Sequence, residues 1–151
     1  MKISSKGRYA LQIMLDLAQC PPNVYTPIKE IAARQQLSLK YLEQIMNMLS
    51  KAGLLHSIRG PQGGYMLTRK PSEYIIGDIL RATEGNLAPV DCIEITDKSC
   101  PKLDSCPMAL FWNGLHEAVL NYIDSITLAD LIEKSRNLGP SFCEGGGQNR
   151  E

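Results

Sequence analysis

No run in this chain of 151 residues approaches the ~18 consecutive apolar residues that a membrane-spanning helix requires. Its start, Met1-Lys2-Ile3-Ser4-Ser5-Lys6-Gly7-Arg8-Tyr9, lacks the apolar centre of a secretory signal. A cytoplasmic protein with no membrane contact is expected. Its cysteines number five, an odd count and poor material for a disulfide framework in a reducing compartment. Metal binding or redox sensing is the better prior for them. There is no internal repeat. Nothing pairs an acid with a base as a catalytic pocket would, so an enzyme is not expected.

Net charge is zero, and acidic residues are scarce at the start. Residues 1–70 hold ten Lys plus Arg against three Asp plus Glu, a balance of +7; residues 71–151 hold six against thirteen, −7. A neutral chain with one strongly basic half is arranged to offer positive charge to a partner. Nucleic acid is the commonest such partner, because its phosphates reward clustered Lys and Arg through counterion release. A solvated basic face is the bland alternative.

Helical spacing begins at residue 6. Tyr9, Ile13, Leu17 and Ala10, Met14, Ala18 recur on one face through residue 19, and Pro21-Pro22 stops the helix. Thr26-Pro27 is expected to open the next helix, with Thr26 as N-cap and Pro27 at the first helical position. Ser38 caps a third helix, which buries Leu39, Leu42, Ile45, Met46 and Leu49 and ends at Gly53. Its opposite face carries Lys40, Glu43, Gln44, Asn47 and Lys51. Two helices joined by a tight turn form a helix-turn-helix, and these polar side chains are of the kind that reads base edges.

A hairpin should follow. Leu54 to Ile58 and Tyr65 to Thr68 read as strands around the turn Arg59-Gly60-Pro61-Gln62-Gly63-Gly64. Such a wing places Arg59 at its tip, where an arginine can enter a minor groove. Its glycines, Gly60 among them, let backbone pass close to a phosphate chain. Another helix is expected from Ile75 to Thr83, ended by Gly85. Residues 86–106 have no period. Helical spacing returns at Pro107 and runs to Ile126, followed by a short capped helix from Thr127. This long helix carries more apolar surface than a small body needs, which points to a dimer interface. The expected fold is mainly α with a small β-hairpin wing. Its expected divisions are a winged helix-turn-helix domain (1–85), a cysteine-rich loop (86–106), dimerisation helices (107–137) and a frayed tail (138–151).

Cys92, Cys100 and Cys106 fall within 15 residues at the spacing C-x7-C-x5-C, and prolines follow the last two. Thiolates are soft, charged ligands for iron or zinc, and exposed thiols also serve as redox switches. Zinc would want a fourth Cys or His close by, and none is obvious.

Three motifs in order, Ser5-Lys6-Gly7-Arg8-Tyr9, Ser38-Leu39-Lys40-Tyr41-Leu42-Glu43-Gln44 and Ile58-Arg59-Gly60-Pro61-Gln62-Gly63-Gly64-Tyr65, resemble the bacterial Rrf-type winged-helix regulators. The resemblance extends from residue 1 to about 135. It implies a homodimer paired through a long C-terminal helix and bound to double-stranded DNA at an imperfect palindrome. Carried onto this sequence, the base-reading positions are Ser38, Lys40, Glu43 and Gln44, and Arg59 enters the minor groove. Arg8, Tyr9 and Tyr41 lie near phosphates.

IscR-like members of that superfamily hold a [2Fe-2S] cluster on three loop cysteines and a histidine. Cys92, Cys100 and Cys106 match the cysteines, at slightly wider spacing. The histidine position is Ala109 here, and His116 lies ten residues past Cys106. Asp91, Glu94, Asp104, Cys143 or a residue of the other subunit are the remaining candidates for a fourth ligand. NsrR-like members supply an acidic residue where this chain has Arg8. The resemblance therefore implies a repressor of iron–sulfur assembly genes that senses a [2Fe-2S] cluster, with [4Fe-4S] second. The alternative is a CymR-like regulator of cysteine metabolism, answering to a partner protein or thiol oxidation; CymR-like members lack the cysteine triad.

Overall fold

In the computed structural model the described residues are 1–93 and 100–139. Helix α1, Ser5–Gln19, starts where the Ser4 hydroxyl accepts from the Gly7 N–H. It buries Ala10, Ile13, Met14 and Leu17. Asp16 joins that face, fully buried, because Arg34 and Gln35 of α2 (Ile28–Gln35) each approach its Oδ2 at 3.1 Å. A buried carboxylate needs such partners. The pair therefore fixes how α2 lies on α1.

Helix α3, Leu39–Lys51, follows a turn in which Gln36 adopts the left-handed conformation, φ 55°. Ser38 caps it by accepting from Tyr41 N–H. Leu42, Ile45, Met46 and Leu49 are all fully buried. Leu39, expected in the core, is 41% exposed at the first position of α3, one turn before Leu42. Gly53 at φ 74° then reverses the chain, and Leu54 N–H donates back to the Leu49 carbonyl. This is the glycine stop expected at the end of the helix.

Strands β1 (Leu55–Ile58) and β2 (Gly64–Leu67) pair antiparallel, with Leu55 opposite Leu67 and Ile58 opposite Gly64. Thr26 is not the helix cap the sequence suggested. It is buried in a bridge to Tyr65, each N–H donating to the other's carbonyl at 2.9 Å, and Pro27 takes the cap position. This explains Gly64: a side chain there would strike the Thr26 carbonyl.

A single 3-10 turn, Pro71–Glu73, leads to α4, Ile76–Glu84, which ends at Gly85 with φ 71°. Among its described residues the connection toward α5 contains two more 3-10 turns, Asp91–Ile93 and Leu103–Ser105. Helix α5, Pro107–Asp124, stops at Ser125, and Thr127 and Asp130 cap each other at the start of α6, Leu128–Ser135. Ile123 and Leu128 enter the same core as α1, α3 and α4. The tail beyond residue 139, Cys143 included, and residues 94–99, with Glu94, lie outside the described residues. Among the described residues no helix is long and apolar enough to cross a membrane.

Candidate nucleic-acid interface and cysteine loop

Burying the Leu42–Ile45–Met46–Leu49 stripe forces the other side of α3 outward. Ser38, Lys40, Glu43 and Gln44 are all exposed there. Tyr41 is half-buried and meets Tyr9 of α1 edge to face, with centroids 6.0 Å apart at 87°. The Arg8 guanidinium lies 5.4 Å from the Tyr9 ring centre. Arg8, Tyr9 and Tyr41, far apart in sequence, thus form one cationic and aromatic cluster at the start of the recognition helix.

The wing projects next to that helix. Arg59 and Gly60 follow β1 at the hairpin tip and are exposed. Gly60 has φ 111°, which a side chain would resist, and Gly63 N–H closes the turn on the Gly60 carbonyl at 3.0 Å. Tyr65 joins the two elements. Its hydroxyl pKa is raised first by burial and next by the Glu43 carboxylate, while Arg59 pulls it down. Both charges therefore bear on one phenol. Glu43 on the reading helix and Arg59 on the wing are parts of one surface.

That surface rests on long-range ties invisible to sequence periodicity. Glu84 at the end of α4 accepts through Oε1 from Ser4 N–H at 3.1 Å, Ser4 Oγ–H at 2.6 Å and Gly7 N–H at 3.1 Å. A side chain at Gly7 would collide with that carboxylate. The Met1 ammonium donates to the Pro89 carbonyl at 3.2 Å. The end of α4 and the start of the cysteine connection are thereby tied to the segment that carries Arg8. Only the Ser-x-x-Gly spacing of the α1 cap was open to discovery; its distant carboxylate was not.

Cys92, Cys100 and Cys106 are free, partly exposed thiols. Cys92 lies in the Asp91–Ile93 turn, and Cys106 is the N-cap residue of α5. Among the described residues, no three His, Cys, Asp or Glu side chains converge as a ready metal site. In kind the donors fit an iron–sulfur cluster, being three thiols on one connection. Ala109, at the expected histidine position, is buried in α5 and offers no donor. His116 has a buried Nδ1 without a hydrogen-bond partner among the described residues.

A helix-turn-helix with an exposed polar face on its second helix and a glycine-turned hairpin beside it defines a winged-helix fold of the kind DNA-binding regulators use. The chain belongs to the Rrf2 family: that family's model, described as "Iron-dependent Transcriptional regulator", matches residues 3–134. The HTH-type transcriptional regulator CymR of Bacillus subtilis is 42% identical over 131 residues, 87% of this chain and 89% of that protein. The HTH-type transcriptional regulator IscR of Serratia proteamaculans is 37% identical over 132 residues, 87% of this chain and 79% of that protein. The solved structure of T. potens IscR superposes with a TM-score of 0.74 at 38% identity, covering 93% of this chain and 92% of that one. These relatives are regulators of transcription and not enzymes.

Proposed function

We propose that this protein is a homodimeric repressor of iron–sulfur assembly genes whose DNA binding responds to an iron–sulfur cluster. The observation that carries the reading is the set of three free, partly exposed thiols on the connection into α5. Cys92, Cys100 and Cys106 would hold the cluster, [2Fe-2S] in preference to [4Fe-4S]. Such a cluster supplies a group that oxidants or iron scarcity can alter or remove. The chain's own residues do the rest. Ser38, Lys40, Glu43 and Gln44 read base edges in the major groove, with Glu43 able to accept from cytosine N4. Arg59 and Gly60 meet the adjacent minor groove, and Arg8, Tyr9 and Tyr41 contact phosphate. Two subunits joined through α5 would read an imperfect palindrome.

Protein purified without oxygen should be brown and contain iron and acid-labile sulfide. Cys92→Ala, Cys100→Ala and Cys106→Ala should each bleach it. Loaded and stripped protein should differ in affinity for at least one promoter. Protein that stays colourless after reconstitution with iron and sulfide would overturn the cluster.

Identity to CymR of 42% supports a second reading, a regulator of cysteine metabolism answering to thiol oxidation or a partner protein. It predicts colourless protein with specific DNA binding that changes on oxidation of the same thiols.

A further inference from the structure

A residue outside both the wing and α3, Tyr74, ties the two roots of the wing together. It is only 1% exposed. Its hydroxyl donates to the Leu54 carbonyl at 2.8 Å, just before β1. The same oxygen accepts from Thr68 N–H at 2.7 Å and Arg69 N–H at 3.2 Å, just after β2. One phenolic oxygen therefore closes the open end of the hairpin, gathering three backbone groups from its two roots. The Arg69 guanidinium lies 4.8 Å from the ring centre and covers it. Thr68 Oγ1 adds a brace, donating to the Gly53 carbonyl at 3.0 Å.

The backbone of the same residue faces the other way. The Tyr74 carbonyl accepts from Leu128 N–H at 3.0 Å, at the start of α6. Next to it Ile76 N–H donates to the Ile126 carbonyl at 2.9 Å, and Ile75 bridges Thr127. Tyr74 thus joins the wing roots, through its side chain, to the α5–α6 junction, through its main chain.

Geometry amplifies what happens at the roots. Arg59 stands four residues out along β1, about 13 Å at ~3.3 Å per residue, so a tilt of about 5° at the root moves the tip by about 1 Å. A guanidinium in a minor groove tolerates little displacement of that size.

We propose that Tyr74 is a positioning residue for DNA recognition: its hydroxyl fixes the wing relative to the α5–α6 junction and so determines whether Arg59 reaches the minor groove. This rests on the reading of Arg59 as a DNA contact. Tyr74→Phe removes one oxygen and keeps the buried ring. Its effect should fall on wing pose more than on the fold, because the wing is a two-stranded hairpin supported beyond its own pairing by the single β-bridge from Tyr65 to Thr26 among the described residues.

The test uses the full chain purified without oxygen and a duplex that the wild-type protein selects from a randomised pool. Four proteins are compared: wild type, Y74F, R59A and the double variant. Y74F should speed amide exchange at Thr68, Arg69 and the β1–β2 pairs, and weaken binding about tenfold, the scale of one or two lost hydrogen bonds. Footprints should lose the wing's minor-groove protection and keep that of the recognition helix. In the R59A background Y74F should cost almost nothing more, since a misplaced wing has no arginine to lose.

If R59A weakens binding while Y74F leaves affinity and footprint unchanged, the Tyr74 proposal fails and the Arg59 reading stands. Additive losses would also overturn it. If R59A is silent, the Arg59 reading fails and takes this proposal with it, even where exchange still reports a loosened wing. Should Y74F not fold, T68V removes the neighbouring brace and keeps the tyrosine. It should then weaken binding about threefold with the same loss of minor-groove protection, and unchanged binding would overturn the proposal.

Discussion

Replacing Phe111 by aspartate should turn a dimer into a monomer. Met108, Phe111, Leu115 and Tyr122 stand on one stripe of α5 and are all exposed in the single chain. Their spacing alternates three and four residues through Ala118, the seam spacing of helices that pair. Phe111 is 58% exposed. A phenylalanine side chain offers roughly 200 Å², so about 120 Å² is left for a partner to cover. At about 25 cal/mol per Å² that is ~3 kcal/mol per subunit. A two-fold interface counts every substitution twice, giving about 6 kcal/mol. At 1.4 kcal/mol per decade the dimer constant should weaken by about four decades. Even half that burial leaves a hundredfold change, and the aspartate charge adds its own desolvation. Sedimentation velocity at about 1 μM should show dimer for the wild type and monomer for F111D, with unchanged helical circular dichroism. Affinity for a palindromic duplex should fall toward that of a half-site. A folded F111D that still sediments as a dimer would remove α5 from the interface.

Gly64→Ala should push the Thr26 carbonyl away and break both 2.9 Å bonds of its bridge to Tyr65, costing about 2 kcal/mol in a urea titration; no change in midpoint would contradict the packing. Arg34→Met should cost about 3 kcal/mol, because it strips a main partner from the buried Asp16 carboxylate. Adding Asp16→Leu should recover most of that loss, and no recovery would mean that apolar burial, not charge, dominates the α1–α2 contact. Asp130 has its pKa lowered, first by the Thr127 backbone N–H and then by the Thr127 hydroxyl. A depressed carboxylate stabilises the fold above its unfolded pKa and loses that contribution as pH falls through the folded one. Thr127→Ala should therefore lower the melting temperature at neutral pH and lower it less below about pH 4; a penalty that grows in acid would refute the capping assignment.

Local patterns were legible because their causes are local. The α3 stripe, the stop at Gly53, the stop at Gly85 and the Thr127 cap each depend on residues within one or two turns, so spacing alone exposes them. Thr26 misled for the same reason. A threonine before a proline is a good cap by local rules, but here pairing with Tyr65, distant in sequence, determines its conformation. Tyr74 and Glu84 were invisible. Apart from the Ser4 hydroxyl, their partners named above are backbone groups at Leu54, Thr68, Arg69, Leu128, Ser4 and Gly7, and backbone groups carry no sequence signal. The exposed face of α3 was read by subtraction, as whatever the buried stripe left outside. The cysteine connection resisted because its 3-10 turns are three residues long and have no period to detect.

A signal at the cysteines, if they receive one, would have a physical route to the residues proposed to face DNA. Cys106 begins α5, and the turn holding Cys92 packs against that helix. Eighteen residues at 1.5 Å make α5 about 27 Å of stiff rod. At its far end Asp124 grips Arg81 of α4 at 2.7 Å, and α4 ends in Glu84, which clamps Ser4 and Gly7. Beyond Ser125 the chain reaches Leu128, whose N–H binds Tyr74 at the wing roots. One rod thus meets both halves of the proposed DNA surface, the Arg8 cluster through α4 and Arg59 through Tyr74. If occupancy of the cysteines biases this assembly, the coupling must run both ways. Operator DNA should then raise or lower the equilibrium affinity for the cluster by the same factor through which the cluster raises or lowers operator affinity. A cluster whose stability ignores saturating operator, in a protein whose operator affinity depends on the cluster, would violate that balance and show that the two states compared were not the same molecule at equilibrium.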